Sequence, residues 1–212
     1  MENCITKYCI INPEEVIVDG NIEYKNTDGN PFGEFMKSVY RHFDIKYPKY
    51  FKMDNLCKIA FIASEIILKD NEKIKETAPN KIGVILQNSH STIDTDTEYA
   101  ATIIDKSNYF PSPAIFVYTL PNVMIGEICI RNKFQGENTC FISKEFDIEF
   151  ISDYVNNLMD SGKIDKCIAG WADYVENNYK TMIFLVEKIN ENQKDNISFK
   201  PENLKKIIKQ GE

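Results

Sequence analysis

The sequence predicts an α/β fold in which a mixed, mainly parallel sheet of about five strands is covered by helices. The first observation is that segments with strand-like composition alternate with segments whose apolar residues recur at helical spacing. The second is that two strands are almost continuously apolar, KIGVILQNS (81–89) and DKCIAGWADYV (165–175). Such strands are typical of a sheet covered on both faces. We therefore expect 82–86 and 166–171 to be interior strands.

The remaining elements follow from local patterns. Apolar residues at helical spacing predict helices at 31–43, 56–68, 95–104, 123–130 and 146–159. Further strands are expected at 5–11, 15–18, 136–143 and 180–189, and 47–54 is expected to be extended. Asp54 is a good helix N-cap, and Ser161-Gly162 should end the last long helix. We expect one domain over 1–188 and a polar tail over 189–212 with a short helix beginning at Pro201.

The composition argues against several classes of protein. The formal net charge of −7 leaves no basic excess for binding nucleic acid. No apolar run approaches the roughly 20 residues of a membrane span, and the sequence begins without a basic and then apolar leader. These features predict a cytoplasmic protein without a membrane span.

The cysteines and histidines do not form a metal-binding pattern. The six cysteines are scattered without a Cys-x-x-Cys pair, and there are only two histidines. We expect no metal and no cofactor, and we expect the cysteines to be reduced thiols that pack as small core residues.

Four segments carry a resemblance when they are taken in order: YPKYFKMDNLCKIAFIASEIIL (47–68), KIGVILQNSHSTIDTD (81–96), PSPAIFVYTLPNVMIGEICIRNKFQGEN (111–138) and LMDSGKIDKCIAGWADYV (158–175). Together they resemble the N-terminal half of a β-ketoacyl synthase of the thiolase superfamily, over roughly 47–187. The resemblance implies a thiolase-like half fold. It also implies an acyl carrier protein or ketosynthase partner and synthesis of fatty acids, polyketides or polyenes.

The resemblance also locates the position of the family's nucleophilic cysteine. In this sequence that position lies nine residues after Gly136 and seventeen before Gly162, and both counts reach Glu145. The family nucleophile lies at a helix N-terminus, where the helix dipole lowers the pKa of a thiol. Cys140 falls five residues earlier, in the preceding strand, where we expect it to pack in the core. Glu145 is also explained as an acid that stabilises the first turn of its helix.

Ser89 and His90 are candidate ligand residues because they follow the apolar strand GVILQ (83–87), and loops at the ends of α/β strands face ligand sites. His42 lies on the first helix and is expected to be a surface residue. The family's two catalytic histidines, or histidine and asparagine, belong to a C-terminal half that this sequence does not contain. We therefore expect condensing activity to be absent.

Three functions remain open. The first is a ketosynthase-like subunit without condensing activity, which acts with an acyl carrier protein, an authentic ketosynthase or a second copy of itself. The second is an acyl transfer or hydrolysis enzyme that uses Cys140 as nucleophile and His90 as base, with a His90…Asp94…Asp96 cluster beside it. The third is an acyl-chain binding module.

Two apolar segments, 114–130 and 139–142, are expected to form a subunit interface. In thiolase-like proteins the corresponding strand pairs across a two-fold axis. Only Glu127 is charged in these segments, and a large exposed apolar surface usually marks an interface. The alternative is that 114–130 is core, packed under the helix that begins near Leu56.

Overall fold

The computed structural model describes residues 2–107, 109–189 and 197–211. Within these residues, eight strands form one sheet. The strands are β1 Glu2–Ile11, β2 Glu15–Val18, β3 Asn21–Lys25, β4 Ile82–Asn88, β5 Asn138–Ile142, β6 Lys166–Val175, β7 Asn178–Ile189 and β8 Ile197–Ser198. The helices are α1 Phe32–His42, α2 Asn55–Leu68, α3 Glu72–Glu76, α4 Ile93–Ala101, α5 Pro113–Phe116, α6 Val123–Asn132, α7 Ile148–Asp160 and α8 Pro201–Ile208.

The strand order is β3-β2-β1-β7-β6-β4-β5, with β8 paired to the side of β1. The predicted α/β class with a helix-covered mixed sheet is confirmed, and β4 and β6 are interior strands as expected. The sheet is larger than the expected five strands, and parallel pairing is confined to β5-β4-β6. The remaining described pairs are antiparallel. Short turns join β1 to β2, β2 to β3 and β6 to β7, and β1 also pairs with the distant strands β7 and β8.

Helices cover both faces of the sheet. Alternate residues of β7 belong to different cores: Ile183 and Leu185 face the larger one, and Phe184 faces the smaller one. The larger core is formed with α1, α2 and α6, and the smaller core with α7 and α8. This double coverage explains the continuous apolar character of the inner strands.

Helix α2 lies at the centre of the larger core. The carboxylate of Asp54 accepts a hydrogen bond from the backbone N–H of Cys57 at 3.0 Å, which confirms the predicted cap. The preceding segment 47–54 is not extended as expected, because a 3₁₀ helix occupies Pro48–Lys52. Its Tyr50 turns inward and stacks on Tyr40 with ring centroids 4.8 Å apart.

The C-terminal residues are part of the domain's packing. The short helix predicted at Pro201 is confirmed as α8, and β8 pairs with β1. Phe199, Leu204 and Ile207 are buried in the smaller core. Of the expected polar tail, residues 190–196 and 212 lie outside the described residues. The domain boundary near residue 188 remains a prediction.

Among the described helices, none alone has the length and apolar content needed to cross a bilayer. One pair, Pro113–Thr119 with Val123–Asn132, meets that requirement on length and composition only when joined across a 100° bend.

Candidate functional site

The parallel strands β4, β5 and β6 end at one edge of the sheet, where an open α/β sheet places its ligands. Two loops meet there: 89–92, after β4, and 143–147, between β5 and α7. The C-terminal half of β6, which includes Asp173, adds side chains to the same edge. We call these two loops and the end of β6 the strand-end site.

A histidine and an aspartate form a close pair in the strand-end site. Nδ1 of His90 lies 2.6 Å from Oδ2 of Asp173, in β6. The Asp173 carboxylate is buried, whereas the His90 side chain is 48% exposed. The backbone N–H groups of Ser89 and His90 donate to the other carboxylate oxygen, at 3.2 and 3.0 Å. The loop is therefore wrapped around the carboxylate, and the imidazole projects from it toward solvent.

The buried side chain of Asn88 holds this arrangement in place. Its Nδ2 donates to Oδ1 of Asp173 at 2.9 Å and to the carbonyl of Ala172 at 2.8 Å. Its Oδ1 accepts from the backbone N–H of Ser91, which has a left-handed φ of 54°. The hydrogen bonds of this buried amide are therefore used to fix the loop relative to β6.

The loop between β5 and α7 contains the predicted nucleophile position and requires a correction. Glu145 is exposed and does not lie in the first helical turn as expected, because α7 begins at Ile148 with Asp147 as N-cap. The Asp147 side chain accepts from the backbone N–H of Phe150 at 3.0 Å, which sets the start of the helix two residues later than predicted. Gln87 accepts from the Asp147 N–H at 2.9 Å and so ties this helix start to β4.

The two loops touch one another. The hydroxyl of Ser89 donates to the carbonyl of Lys144 at 3.1 Å. Beneath them Phe146 packs near Trp171, with ring centroids 6.0 Å apart. The structure therefore brings Ser89, His90 and Glu145 into adjacent loops at one edge of the sheet, although the first two lie more than fifty residues before Glu145.

Cys140 lies in β5, as expected, and is half-buried against the larger core. Burial raises the pKa of its thiol to about 11. Such a thiol is almost entirely protonated near neutral pH and is a poor nucleophile. Its role as a packing residue stays a prediction that its reactivity can test.

We expect Cys140 to react slowly with a small electrophile such as iodoacetamide. A pKa of about 11 leaves little thiolate at pH 8, so the rate should be roughly a hundredfold below that of an ordinary cysteine. Because the pKa is raised, the rate should increase about tenfold per pH unit until pH approaches 11. Mass spectrometry of the native protein measures the rate of alkylation, and the Cys140→Ser variant assigns the signal to Cys140. Fast and selective labelling of Cys140 at pH 7 would show that the thiol is an active nucleophile.

The sequence reasoning did not find Asp173. The expected His90…Asp94…Asp96 cluster does not form: Asp94 accepts from the backbone N–H of Glu176, and Asp96 from the Thr92 hydroxyl. The available signal was an aspartate inside the otherwise apolar strand β6, because a buried charge requires a partner. Within the described ranges, no group of three or more His, Cys, Asp or Glu residues is arranged to hold a metal ion.

A separate cleft of about 600 Å³ opens beside α2, α4 and α5. Its lining includes Asp54, Lys58, Glu98 and Tyr118. Burial raises the pKa of Asp54 and lowers that of Lys58. The lining also includes Met53, Leu56 and Ile115, so charged and apolar side chains share this cleft.

The segments expected to form an interface are divided between core and surface. Met124, Ile125 and Ile128 are buried in the larger core, so much of 114–130 is core. In the same region the exposed apolar residues are Phe116, Val117, Leu120, Ile130 and Ile142. The strand β5 is the last strand of the sheet, so one of its backbone edges has no strand partner within the described residues. Exposed apolar side chains and an unpaired edge together are typical of an association surface.

The fold is similar to that of solved ketosynthases. The ishigamide ketosynthase/chain length factor matches 91% of this chain and 64% of its own at 16% identity, with a TM-score of 0.66. AntDE:AntF, a type II PKS acyl-carrier protein in complex with its ketosynthase, matches 88% of this chain and 62% of its own at 13% identity, with a TM-score of 0.59. The ketosynthase ApeO in complex with its chain length factor ApeC, from Xenorhabdus doucetiae, matches 90% of this chain and 81% of its own at 10% identity, with a TM-score of 0.56. No protein-family model and no curated protein matches the sequence.

The protein therefore has an α/β fold similar to that of solved ketosynthase structures. More specifically, the similarity is to ketosynthase and chain length factor structures, as the sequence resemblance implied. The chain spans less than two thirds of the first two matched chains.

Proposed function

We propose that this protein is a ketosynthase-like subunit without condensing activity, which acts with an authentic ketosynthase and an acyl carrier protein in type II fatty-acid, polyketide or polyene synthesis. The observation that carries the proposal is the composition of the loop between β5 and α7. Residues 143–148, SKEFDI, contain no cysteine, and Glu145 occupies the position that the resemblance assigns to the nucleophile. Cys140, five positions away, has a raised pKa that suits packing better than attack.

The matched structures support the choice of partner. Two of them are of a ketosynthase with a chain length factor, and a third is of a ketosynthase with its acyl-carrier protein.

The surface that we propose for the ketosynthase partner combines the free edge of β5 with the exposed apolar side chains of the 116–120 segment. We name it the β5 face and define it by Phe116, Val117, Leu120 and Ile142. Ile142 is 53% exposed at the end of the edge strand. A strand from a partner that pairs with this edge would satisfy its backbone groups and cover these side chains.

We expect co-expression with a ketosynthase from the same organism to yield a complex that Ile142→Lys weakens at least tenfold, ~1.4 kcal/mol. The reason is that the substitution places a charge in an apolar contact. Sedimentation velocity at micromolar concentration measures the association. Matched condensation assays, with and without this subunit, should show that elongation requires the ketosynthase's own cysteine.

The control is Ile22→Lys on β3, the edge strand at the opposite end of the sheet, where Ile22 is 48% exposed. It should leave the complex unchanged. A folded chain that stays monomeric and gains no mass with any ketosynthase contradicts the proposal. Self-association through Ile142 would replace the ketosynthase partner with a second copy. Condensation by the isolated chain contradicts the absence of activity.

A further inference from the structure

We propose that the His90–Asp173 pair is a general base that hydrolyses acyl thioesters at the strand-end site. The choice of a thioester substrate rests on the proposed function. The base itself rests on the geometry of the pair. It gives the protein an activity of its own, the release of acyl chains, in addition to its role as a partner subunit.

The hydrogen bonds determine which imidazole nitrogen is available. A carboxylate can only accept, so the 2.6 Å contact with Asp173 requires that Nδ1 of His90 donate its proton. In the neutral ring, Nε2 then has the free lone pair. The ring is 48% exposed, whereas the carboxylate behind it is buried and receives three further N–H donors from Asn88, Ser89 and His90. This is the arrangement of an oriented base, in which the acid fixes the tautomer and the outer nitrogen faces the substrate.

The position of the pair points to the substrate. Ser89, the neighbour of His90, donates to the carbonyl of Lys144. The β4 loop is thereby attached to the 143–147 loop before α7, where the resemblance places the family's nucleophile. A shallow depression of about 400 Å³ lies over that helix start and is lined by residues 143–149 and Lys205. Because Ser89 contacts Lys144, an acyl thioester bound at the 143–147 loop would lie next to the histidine loop.

The proposed reaction needs no residue to be acylated. Nε2 of His90 takes a proton from a water molecule as the water oxygen bonds to the thioester carbonyl carbon. The carbon–sulfur bond of the tetrahedral intermediate then breaks, and the imidazolium returns the proton to the leaving thiolate. The products are a free carboxylic acid and a thiol, and water is the only co-reactant. His90 is thus the catalytic residue, and Asp173 is a positioning residue.

The test is hydrolysis of hexanoyl-N-acetylcysteamine by the full chain, and the thiol that is released is measured over time. We expect the wild type to exceed the buffer rate at least tenfold, and both His90→Ala and His90→Gln to fall to that rate. Added imidazole should raise the rate of His90→Ala but should leave the wild-type rate unchanged. This difference separates loss of a base from loss of structure. Asp173→Asn should lower the rate at least tenfold. In the double variant with His90→Ala, added imidazole should restore nearly the same rate as in His90→Ala alone.

Two control variants and three contrary results complete the experiment. His42→Ala and Cys140→Ser should keep the wild-type rate, because neither residue lies in the strand-end site. A wild-type rate equal to buffer, or a His90→Ala rate equal to wild type, overturns the inference. An acyl adduct on Ser89 or Cys140, detected by mass spectrometry, overturns direct attack by water. Sedimentation with a ketosynthase on the same preparations keeps the two proposals distinguishable: a complex without hydrolysis contradicts only the base, and His90-dependent hydrolysis without a complex contradicts only the partner role.

Discussion

Replacing Gly170 with alanine should destabilise the protein by about 3–5 kcal/mol, near the upper limit for a single substitution. Gly170 lies in the interior strand β6 with φ +150°. A Cβ there would lie 1.9 Å from the carbonyl oxygen of Met182 in the paired strand β7. The backbone of β6 or β7 would have to move, which disrupts the most extensively paired part of the sheet. Urea unfolding followed by the fluorescence of the single tryptophan, Trp171, measures the change.

Gly126→Ala is the matched control. Gly126 lies inside α6, and an added Cβ there meets no atom within 4 Å. Alanine is a better helix former than glycine by about 0.8–1 kcal/mol, so this variant should be neutral or slightly more stable. If both alanine variants unfold at the same urea concentration as wild type, the close approach of β6 and β7 at Gly170 is wrong.

Replacing Leu204 with alanine should lower the free energy of unfolding by about 2–4 kcal/mol. Leu204 lies on α8 and is fully buried between that helix and the sheet. Truncation removes apolar contacts and leaves a cavity that the surrounding core fills only in part. Thermal and urea unfolding both measure the loss.

The control for this variant is Lys206→Ala, on the exposed side of the same helix, which should change stability by less than about 0.5 kcal/mol. The comparison decides between two descriptions of the C-terminal residues. A polar tail with little packing predicts that Leu204→Ala is as mild as Lys206→Ala. A helix that completes the smaller core predicts the large difference given above.

If the His90-dependent hydrolysis is found, the protein is more than a passive subunit. A partner that removes acyl chains from the same assembly that extends them would act on chain length or on stalled intermediates. The loop between β5 and α7 would then retain the location of the family's chemistry while the attacking group changed from a thiol to water.

The sequence by itself determined most of the secondary structure of the core. The predicted ends of helix α2 and of strands β4, β6 and β7 lie within a few residues of the observed ends. The reason is that their apolar patterns and the Asp54 cap are local signals. Strand β3, NIEYK, was missed because it is an exposed edge strand with no apolar run. The start of α7 was misplaced by two residues because the local pattern does not show which acid, Glu145 or Asp147, caps the helix.

Only the tertiary structure decided which residues form the site. Asp173 and His90 are 83 positions apart and meet because parallel pairing of β4 with β6 brings both to the same edge of the sheet. No periodicity in a single sequence specifies strand order, so the histidine was found and its partner was not. The packing of α8 was likewise invisible locally: its apolar residues Leu204 and Ile207 pack into the smaller core, which residues distant in the sequence form. Local chemistry determines elements, and long-range pairing determines which side chains they bring together.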